Sequence, residues 1–384
     1  MSARTATNRM STRLFIAFLF LAAVVLFGLV VGVIRLARGL GPTTNLNSGY
    51  PWGLWIAFDF FAVPFSAGAF TLAFVVHIAN RKRYHAIAYL ALLAGFLGYL
   101  MVVLVLLMDI GRWDQFYSVL LPWRWNLHSF MFEVSMSIAT YFGVLILELI
   151  PIVLGAFGKG DSWLARLIGQ LLPLIAGVGI LLSTVHQSSI GAIFLTLPHK
   201  LHRLWWSPIM PLHFLSSAVF SGLTVAIFLG LLTWRALRQP VPMKLLTNLA
   251  KAAAVVLGIY LLLKIGDLLF AGEIGLPFSS GRFSILWWVE IIVGAVVPLI
   301  LYASRARESQ GGLLAAAICV IVGLALNRAT IAWFALARTG GYTYSPHWME
   351  VVITLAAFAA GILFYSLGVR YLQTVRKPVL EGGH

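Results

Sequence analysis

Asp109-Ile110-Gly111-Arg112 follows directly on an apolar run that ends at Met108, and Glu133 lies inside the next apolar run. A tryptophan-rich link, Trp113 to Asn126, separates the two. Ionisable side chains in hydrocarbon are costly, and they mark substrate, ion or proton paths. An acid and a base at a membrane edge can hold a polar ring, and a carboxyl deeper inside can carry protons to it. The spacing predicts Glu133 about two helical turns inside its span. Tyr99 lies about two turns from the same end of the preceding span. A tyrosine and a carboxyl on adjacent helices can relay a proton. Alternatively, Glu133 is a protonated carboxyl held by one hydrogen bond.

Ser183-Thr184-Val185-His186-Gln187-Ser188-Ser189 groups an imidazole, an amide and several hydroxyls at the predicted edge of another span. Histidine both gives and takes protons near neutral pH. His186 and Gln187 are therefore candidates for a site at this edge, beside Asp109 and Arg112, with Arg112 pairing Asp109. Asp59, two turns into its span, is either paired with an arginine or partly in a wet cavity. Asp59, Glu148, Asp267 and Glu290 could form a proton path away from this edge.

His128, His186 and His213 fall near one edge, but they form no same-helix pairs that would stack haems, so a redox cofactor of the chain's own is not expected. The single cysteine, Cys319, excludes a cysteine-held iron–sulfur cluster and an internal disulfide. No metal-binding motif, Walker loop or dinucleotide fingerprint is present.

These residues must be positioned by membrane helices. The chain is 61% hydrophobic and only 10% charged, which excludes disorder and ordinary soluble composition. Apolar stretches predict about ten spans, near 14–37, 54–80, 84–108, 127–155, 163–186, 209–235, 246–270, 282–303, 311–335 and 348–373. The fold class is all-α and polytopic, since a barrel would show short alternating segments. The net charge of +15 is read as topogenic, and no nucleic-acid partner is expected. Arg4, Arg9, Arg13, Arg81-Lys82-Arg83, Lys159, Arg166, Arg235, Arg238, Lys244, Lys251, Arg305, Arg307, Arg370, Arg376 and Lys377 fall on one side. The positive-inside rule makes that side, and both termini, cytoplasmic. The links rich in Gly, Trp, Tyr, Pro and His, including the link from Thr339 to His347, then face outward. They read as a docking surface or site, or as an interfacial aromatic belt.

A weak repeat supports two related four-helix bundles, 54–186 and 209–335, flanked by helices at 14–37 and 348–373. Ile110-Gly111 and Ile265-Gly266 each precede an aromatic link and a span with one acid, Glu133 or Glu290. Repeats of this kind also suit a secondary transporter.

Asn45-Leu46-Asn47-Ser48-Gly49-Tyr50-Pro51-Trp52-Gly53, leading into Trp55-Ile56-Ala57-Phe58-Asp59, resembles the NrfD/PsrC family of quinone-interacting membrane subunits. Met108-Asp109-Ile110-Gly111-Arg112, the Glu133 context, His186-Gln187-Ser188-Ser189 and Gly340-Gly341-Tyr342-Thr343-Tyr344-Ser345-Pro346 resemble its HybB-type branch, the membrane subunits of periplasmic nickel–iron hydrogenases. The resemblance covers nearly the whole chain. It implies a haem-free subunit of the bacterial or archaeal cytoplasmic membrane that binds menaquinone or ubiquinone near the outer face. It implies a ferredoxin-like periplasmic iron–sulfur partner beside hydrogenase large and small subunits, and proton transfer by Tyr99, Glu133 and His186. The alternatives are a secondary transporter with buried carboxylates, or a passive membrane anchor of a molybdoenzyme complex.

Overall fold

The computed structural model describes residues 12–336 and 343–371. The Gly340-Gly341-Tyr342 part of the last motif, and Arg4, Arg9, Arg376 and Lys377, lie outside the described residues. The described chain is all-α and contains ten helices long and apolar enough to cross a membrane. In chain order the helices are α1 (Thr12–Arg38), α2 (Leu54–Ala62), α3 (Phe65–Ala73), α4 (His85–Asp109), α5 (Phe130–Ala156) and α6 (Trp163–Ile193). There follow α7 (Met210–Ala236), α8 (Met243–Phe270), the one-turn α9 (Leu276–Ser279), α10 (Arg282–Ile291), α11 (Val297–Ala303), α12 (Gln310–Ala329) and α13 (Trp348–Tyr371). This is a multi-pass membrane protein.

Local chemistry sets several boundaries. Serines cap α5, α6 and α12: Ser129, Ser162 and Ser309 accept from the backbone N–H of Phe132, Ala165 and Gly312. Pro64 splits the second span into α2 and α3, because proline has no N–H to continue the ladder. The Val63 carbonyl at the break accepts from Ser66 Oγ at 2.8 Å and from Gln187 Nε2 at 3.3 Å. A π-helical turn, Ile292–Val296, joins α10 to α11 just before Pro298, and a second one, Thr330–Phe334, follows α12.

Packing forms two closed rings. In the first, α4 lies against α2, α3 and α5, α5 lies against α6, and α6 returns to α3. In the second, α7 packs on α8, α8 on α11, α11 on α12, and α12 on α7. The rings meet where α7 touches α3, α4 and α6, and where α12 touches α2. Helix α13 lies on α4 and α2, and α1 lies on α13. At the junction a Cβ on Gly68 would stand 2.5 Å from the Gly222 carbonyl, so two helix backbones touch directly there.

Two predicted spans differ at their ends. The fourth starts at Phe130, so Glu133 lies in the first helical turn and not two turns deep. The turn at Asn126–Ser129 occupies the predicted start, with Asn126 Oδ1 accepting from the His128 N–H at 3.2 Å. The fifth was expected to end at His186, yet α6 continues to Ile193. Gln187 and Ser189 read as link residues, and Ser183 and His186 as the end of the span. All four are buried in the helix, where side chains of other helices satisfy part of their polarity.

Candidate functional site

The first ring encloses a column of polar side chains between α4, α5 and α6. Tyr99 and His186 are both fully buried, with the Tyr99 hydroxyl 2.5 Å from His186 Nδ1. The Tyr99 ring also meets the Tyr141 ring edge-on at 5.0 Å, and the Tyr141 hydroxyl lies 3.5 Å from the Ser66 carbonyl. One turn along α6, Ser189 Oγ donates to Glu133 Oε1 at 2.5 Å, with the Val185 carbonyl 2.9 Å away as the alternative acceptor. Glu133 is only half-buried, in the first turn of α5. The expected direct link between Tyr99 and Glu133 is replaced by one through α6, because Glu133 sits nearer the helix end.

Atoms in this column buried without a protein hydrogen bond include His186 Nε2 and Gln187 Oε1. Buried polar atoms are normally satisfied, so two on adjacent residues point to a ligand or water. With Nδ1 bound by Tyr99, Nε2 is the imidazole atom left to exchange a proton. Farther along α5, Tyr141 and Glu148 share the Glu133 face at helical spacing. Gly179 on α6 leaves room beside them: a Cβ there would lie 4.0 Å from Glu148 Oε1 and 3.7 Å from the Tyr141 ring.

A second cluster lies where α1, α2, α4 and α13 converge. Here the sequence expectation needs correcting. Arg112 does not pair with Asp109: α4 ends at Asp109, Ile110 is extended, and Arg112 turns outward to Asp114 at 3.0 Å. Each of that exposed pair favours the other's charged form, which raises the Arg112 pKa and lowers that of Asp114. The cation beside Asp109 is Arg35, fully buried, whose NH2 group donates to the Ile110 carbonyl at 2.9 Å. Glu350, also fully buried, is a further neighbour of Asp109. It accepts from the Tyr344 hydroxyl and the His347 N–H, both at 2.7 Å. Asp59 adjoins Asp109, is 4% exposed, and has no protein partner on either carboxylate oxygen.

Arg35 and Glu350 lie inside the predicted spans 14–37 and 348–373, and sequence reasoning missed them. The usable signal was their place within an apolar run. No hydrogen bond joins this cluster to His186 among the described residues, so Asp109 and Arg112 are not brought to His186 and Gln187. Arg112→Gln is accordingly expected to leave the thermal midpoint in detergent unchanged, as for a surface pair. Arg35→Gln, which strips the cluster of its cation, is expected to lower the yield of folded protein, read by size-exclusion profile in detergent.

The same end of the molecule holds a cavity of about 550 Å³, lined by residues that include Tyr50, His202, Arg282, Phe283, Trp333 and Tyr344. The His202 ring lies 4.4 Å from that of Phe283, and burial lowers the His202 pKa. Burial and the Glu350 carboxylate both raise the Tyr344 pKa, so its hydroxyl keeps its proton.

The remaining predicted acids divide between the two rings. Glu148 lies in the half of the first ring near the basic links. Asp267 is half-buried near the end of α8, and Glu290 is 4% exposed on α10, both in the opposite half of the second ring. Of the three, Glu148 stands nearest the basic links. Among the described residues, no group of three or more His, Cys, Asp or Glu could hold a metal ion.

Comparison with known proteins joins these observations. The family model described as "Polysulphide reductase, NrfD" matches residues 42–338, which take in both rings and leave out α1 and α13. The chain is 32% identical to the "Probable Ni/Fe-hydrogenase 2 b-type cytochrome subunit" of Escherichia coli (strain K12), over 91% of this chain and 90% of that one. It is 30% identical to the "Menaquinone reductase, integral membrane subunit" of Nitratidesulfovibrio vulgaris, over 90% and 88% respectively. It is 24% identical to a selenate reductase subunit of Mesobacillus selenatarsenatis, over 94% of each. A match across both rings, relatives that are themselves subunits of redox complexes, and ten apolar spans lead to one conclusion: this chain belongs to the NrfD family of integral membrane subunits.

Proposed function

We propose that this chain exchanges electrons between an iron–sulfur partner and membrane quinone, menaquinone or ubiquinone, and moves the accompanying protons. The observation that carries this reading is the buried Tyr99–His186 pair, with His186 Nε2 and Gln187 Oε1 left without protein partners beside it. A quinone takes up two electrons and two protons on reduction. The protein must therefore present a polar contact to each ring oxygen and a route for hydrogen ions. His186 and Gln187 contact the ring, Tyr99 holds the imidazole, and Ser189 links the column to Glu133 at the half-buried helix start. Tyr141 and Glu148 extend the column in the opposite direction.

A second placement of the ring is favoured by the 550 Å³ aromatic cavity. There Tyr344 would connect it through Glu350 to Asp109, Arg35 and Asp59. Photo-crosslinking with an azidoquinone separates the two placements: labelling around residues 186–187 supports the first, and labelling around residues 333–344 supports the second.

The rest of the reading follows the charge pattern and the relatives. The basic links and both termini lie in the cytoplasm, and the aromatic links face outward toward a ferredoxin-like iron–sulfur subunit. The Escherichia coli relative's name points to a nickel–iron hydrogenase, with its large and small subunits, as the electron source. The two rings act as related four-helix bundles, the first bearing the quinone chemistry.

We read the chain as haem-free, although that relative is named a b-type cytochrome subunit. His186 is held by Tyr99 in the first ring, whereas His213 faces Tyr260 in the second, 6.1 Å between ring centroids. Two buried imidazoles on different rings do not offer the facing pair that a bis-histidine haem needs. The reduced, purified chain is expected to show no b-type α-band, and such a band at one haem per chain would overturn this assignment.

The function is tested with Glu133→Gln in the assembled complex. Quinone-linked turnover is expected to fall about tenfold or more, while turnover with a soluble artificial acceptor stays unchanged. Unchanged quinone turnover would remove Glu133 from the proton route.

A further inference from the structure

The second ring holds buried charge that the quinone chemistry does not use. Lys264, Glu290 and Arg328 are respectively 5%, 4% and 2% exposed, far from any link on the basic side. Glu290 accepts from Trp205 Nε1 at 2.7 Å and from Asn327 Nδ2 at 2.8 Å. Arg328 is fixed behind it, donating to Asn327 Oδ1 at 3.0 Å and to Ser217 Oγ at 2.6 Å, and lying 3.9 Å over the Phe214 ring. Lys264 has no such anchorage to a carboxylate. It neighbours both Glu290 and the half-buried Asp267, yet lies within 4.0 Å of neither, since the only ion pairs at that range among the described residues are Arg112–Asp114 and Arg203–Glu273.

On α8, Lys264 lies one turn from the half-buried Asp267 on one side and one turn from Tyr260 on the other, and Tyr260 borders the same space as Glu290. Next to Glu290 is a space of about 20 Å³ bordered by Ser217, Tyr260 and Asn327, room for one water molecule. The π-helical turn Ile292–Val296 begins two residues after Glu290, and π turns recur at functional sites. A purely structural role would be served more cheaply by apolar packing, because buried charges are weak stabilisers.

We propose that Asp267, Lys264 and Glu290 form a proton-transfer site in the second ring, separate from the quinone column of the first. The Lys264 ammonium gives its proton, through a bridging water, to the Glu290 carboxylate, leaving an amine and a carboxylic acid. The amine is reprotonated from the Asp267 side, and Glu290 releases its proton toward the Tyr260 space. No net charge is created in the ring at the first step. Arg328 stays charged throughout, as guanidinium does, and takes no part in transfer.

The link between the rings is the adjacent pair Trp205 and Trp206. Trp206 Nε1 donates to the Phe194 carbonyl at the end of the His186 helix, at 2.9 Å, while Trp205 holds Glu290. A shift of α6 at the quinone column therefore reaches Glu290 through a single link.

This inference rests on the quinone reading, and the experiment separates the two. The whole redox complex is reconstituted in vesicles enclosing a pH-sensitive dye, and Lys264→Arg and Lys264→Met are compared with the unaltered complex. Arginine keeps the charge but does not release its proton, so a merely electrostatic role would survive in Lys264→Arg. Proton displacement is expected to fall about tenfold in both variants, with uncoupled quinone turnover changed less than about twofold. Full displacement in Lys264→Arg overturns the site, as does equal loss of turnover and displacement, or an unaltered complex that turns over without displacing protons. Absence of quinone turnover in the unaltered complex instead overturns the quinone reading itself. Should Lys264→Met fail to accumulate, Lys264→Arg carries the test alone.

Discussion

Replacing His186 with alanine is expected to lower quinone-linked turnover about a hundredfold or more, with electron delivery to a soluble artificial acceptor unchanged. The imidazole is the one group in the first ring that is fully buried, fixed through one nitrogen by Tyr99, and free at the other. On the proposed reading, removing it takes away the ring contact and leaves the Tyr99 hydroxyl without its partner. Tyr99→Phe offers the sharper companion. It keeps the ring packed on Tyr141 but releases Nδ1, so the imidazole loses its orientation and not its chemistry. Its turnover is expected to lie between those of the unaltered complex and His186→Ala. Equal turnover in all three would place quinone chemistry elsewhere, with the aromatic cavity the first site to probe.

The largest structural effect is expected at the ring junction. A Cβ on Gly222 would overlap the backbone of Ala67 and Gly68, and backbone cannot move aside as a flexible side chain can. In a bilayer no hydrophobic driving force holds helices together, so close packing of small residues carries the contact. Gly222→Leu is expected to cost about 3 kcal/mol or more, and to abolish the monodisperse detergent-purified species. Gly222→Ala should show a milder form of the same defect, as a lower thermal midpoint. Gly143→Ala is the control, because a Cβ there meets nothing within 4 Å and stability should hold. A stable Gly222→Leu protein would mean that the rings do not meet as described.

Some of this was legible in the residues themselves. Runs of apolar side chains fixed the class and the number of spans, since backbone polar groups in hydrocarbon must be satisfied within helices. Tyr99, Glu133 and His186 stood out because ionisable or polar groups inside such runs are costly. The details that failed were local. Ser188 and Ser189 read as the start of a link because hydroxyls and amides favour loops, but inside the first ring Ser189 serves as a helical donor to Glu133. Arg112 stands three residues from Asp109 and looked like its partner. The helix end at Asp109 points the two side chains in different directions, and the cation beside Asp109 comes from Arg35, 74 positions earlier in the chain.

Composition and the order of apolar runs were enough to determine a ten-span helical protein and to nominate the side chains that could handle protons, because the cost of polarity in lipid is a property of each residue alone. Which of those side chains meet was decided only in three dimensions. Arg35 with Asp109, Tyr99 with His186, and Ser189 with Glu133 are neighbours distant in the chain, and helix packing fixes their distances and directions. Spacing along one strand of sequence carries no record of the rotation of one helix against another.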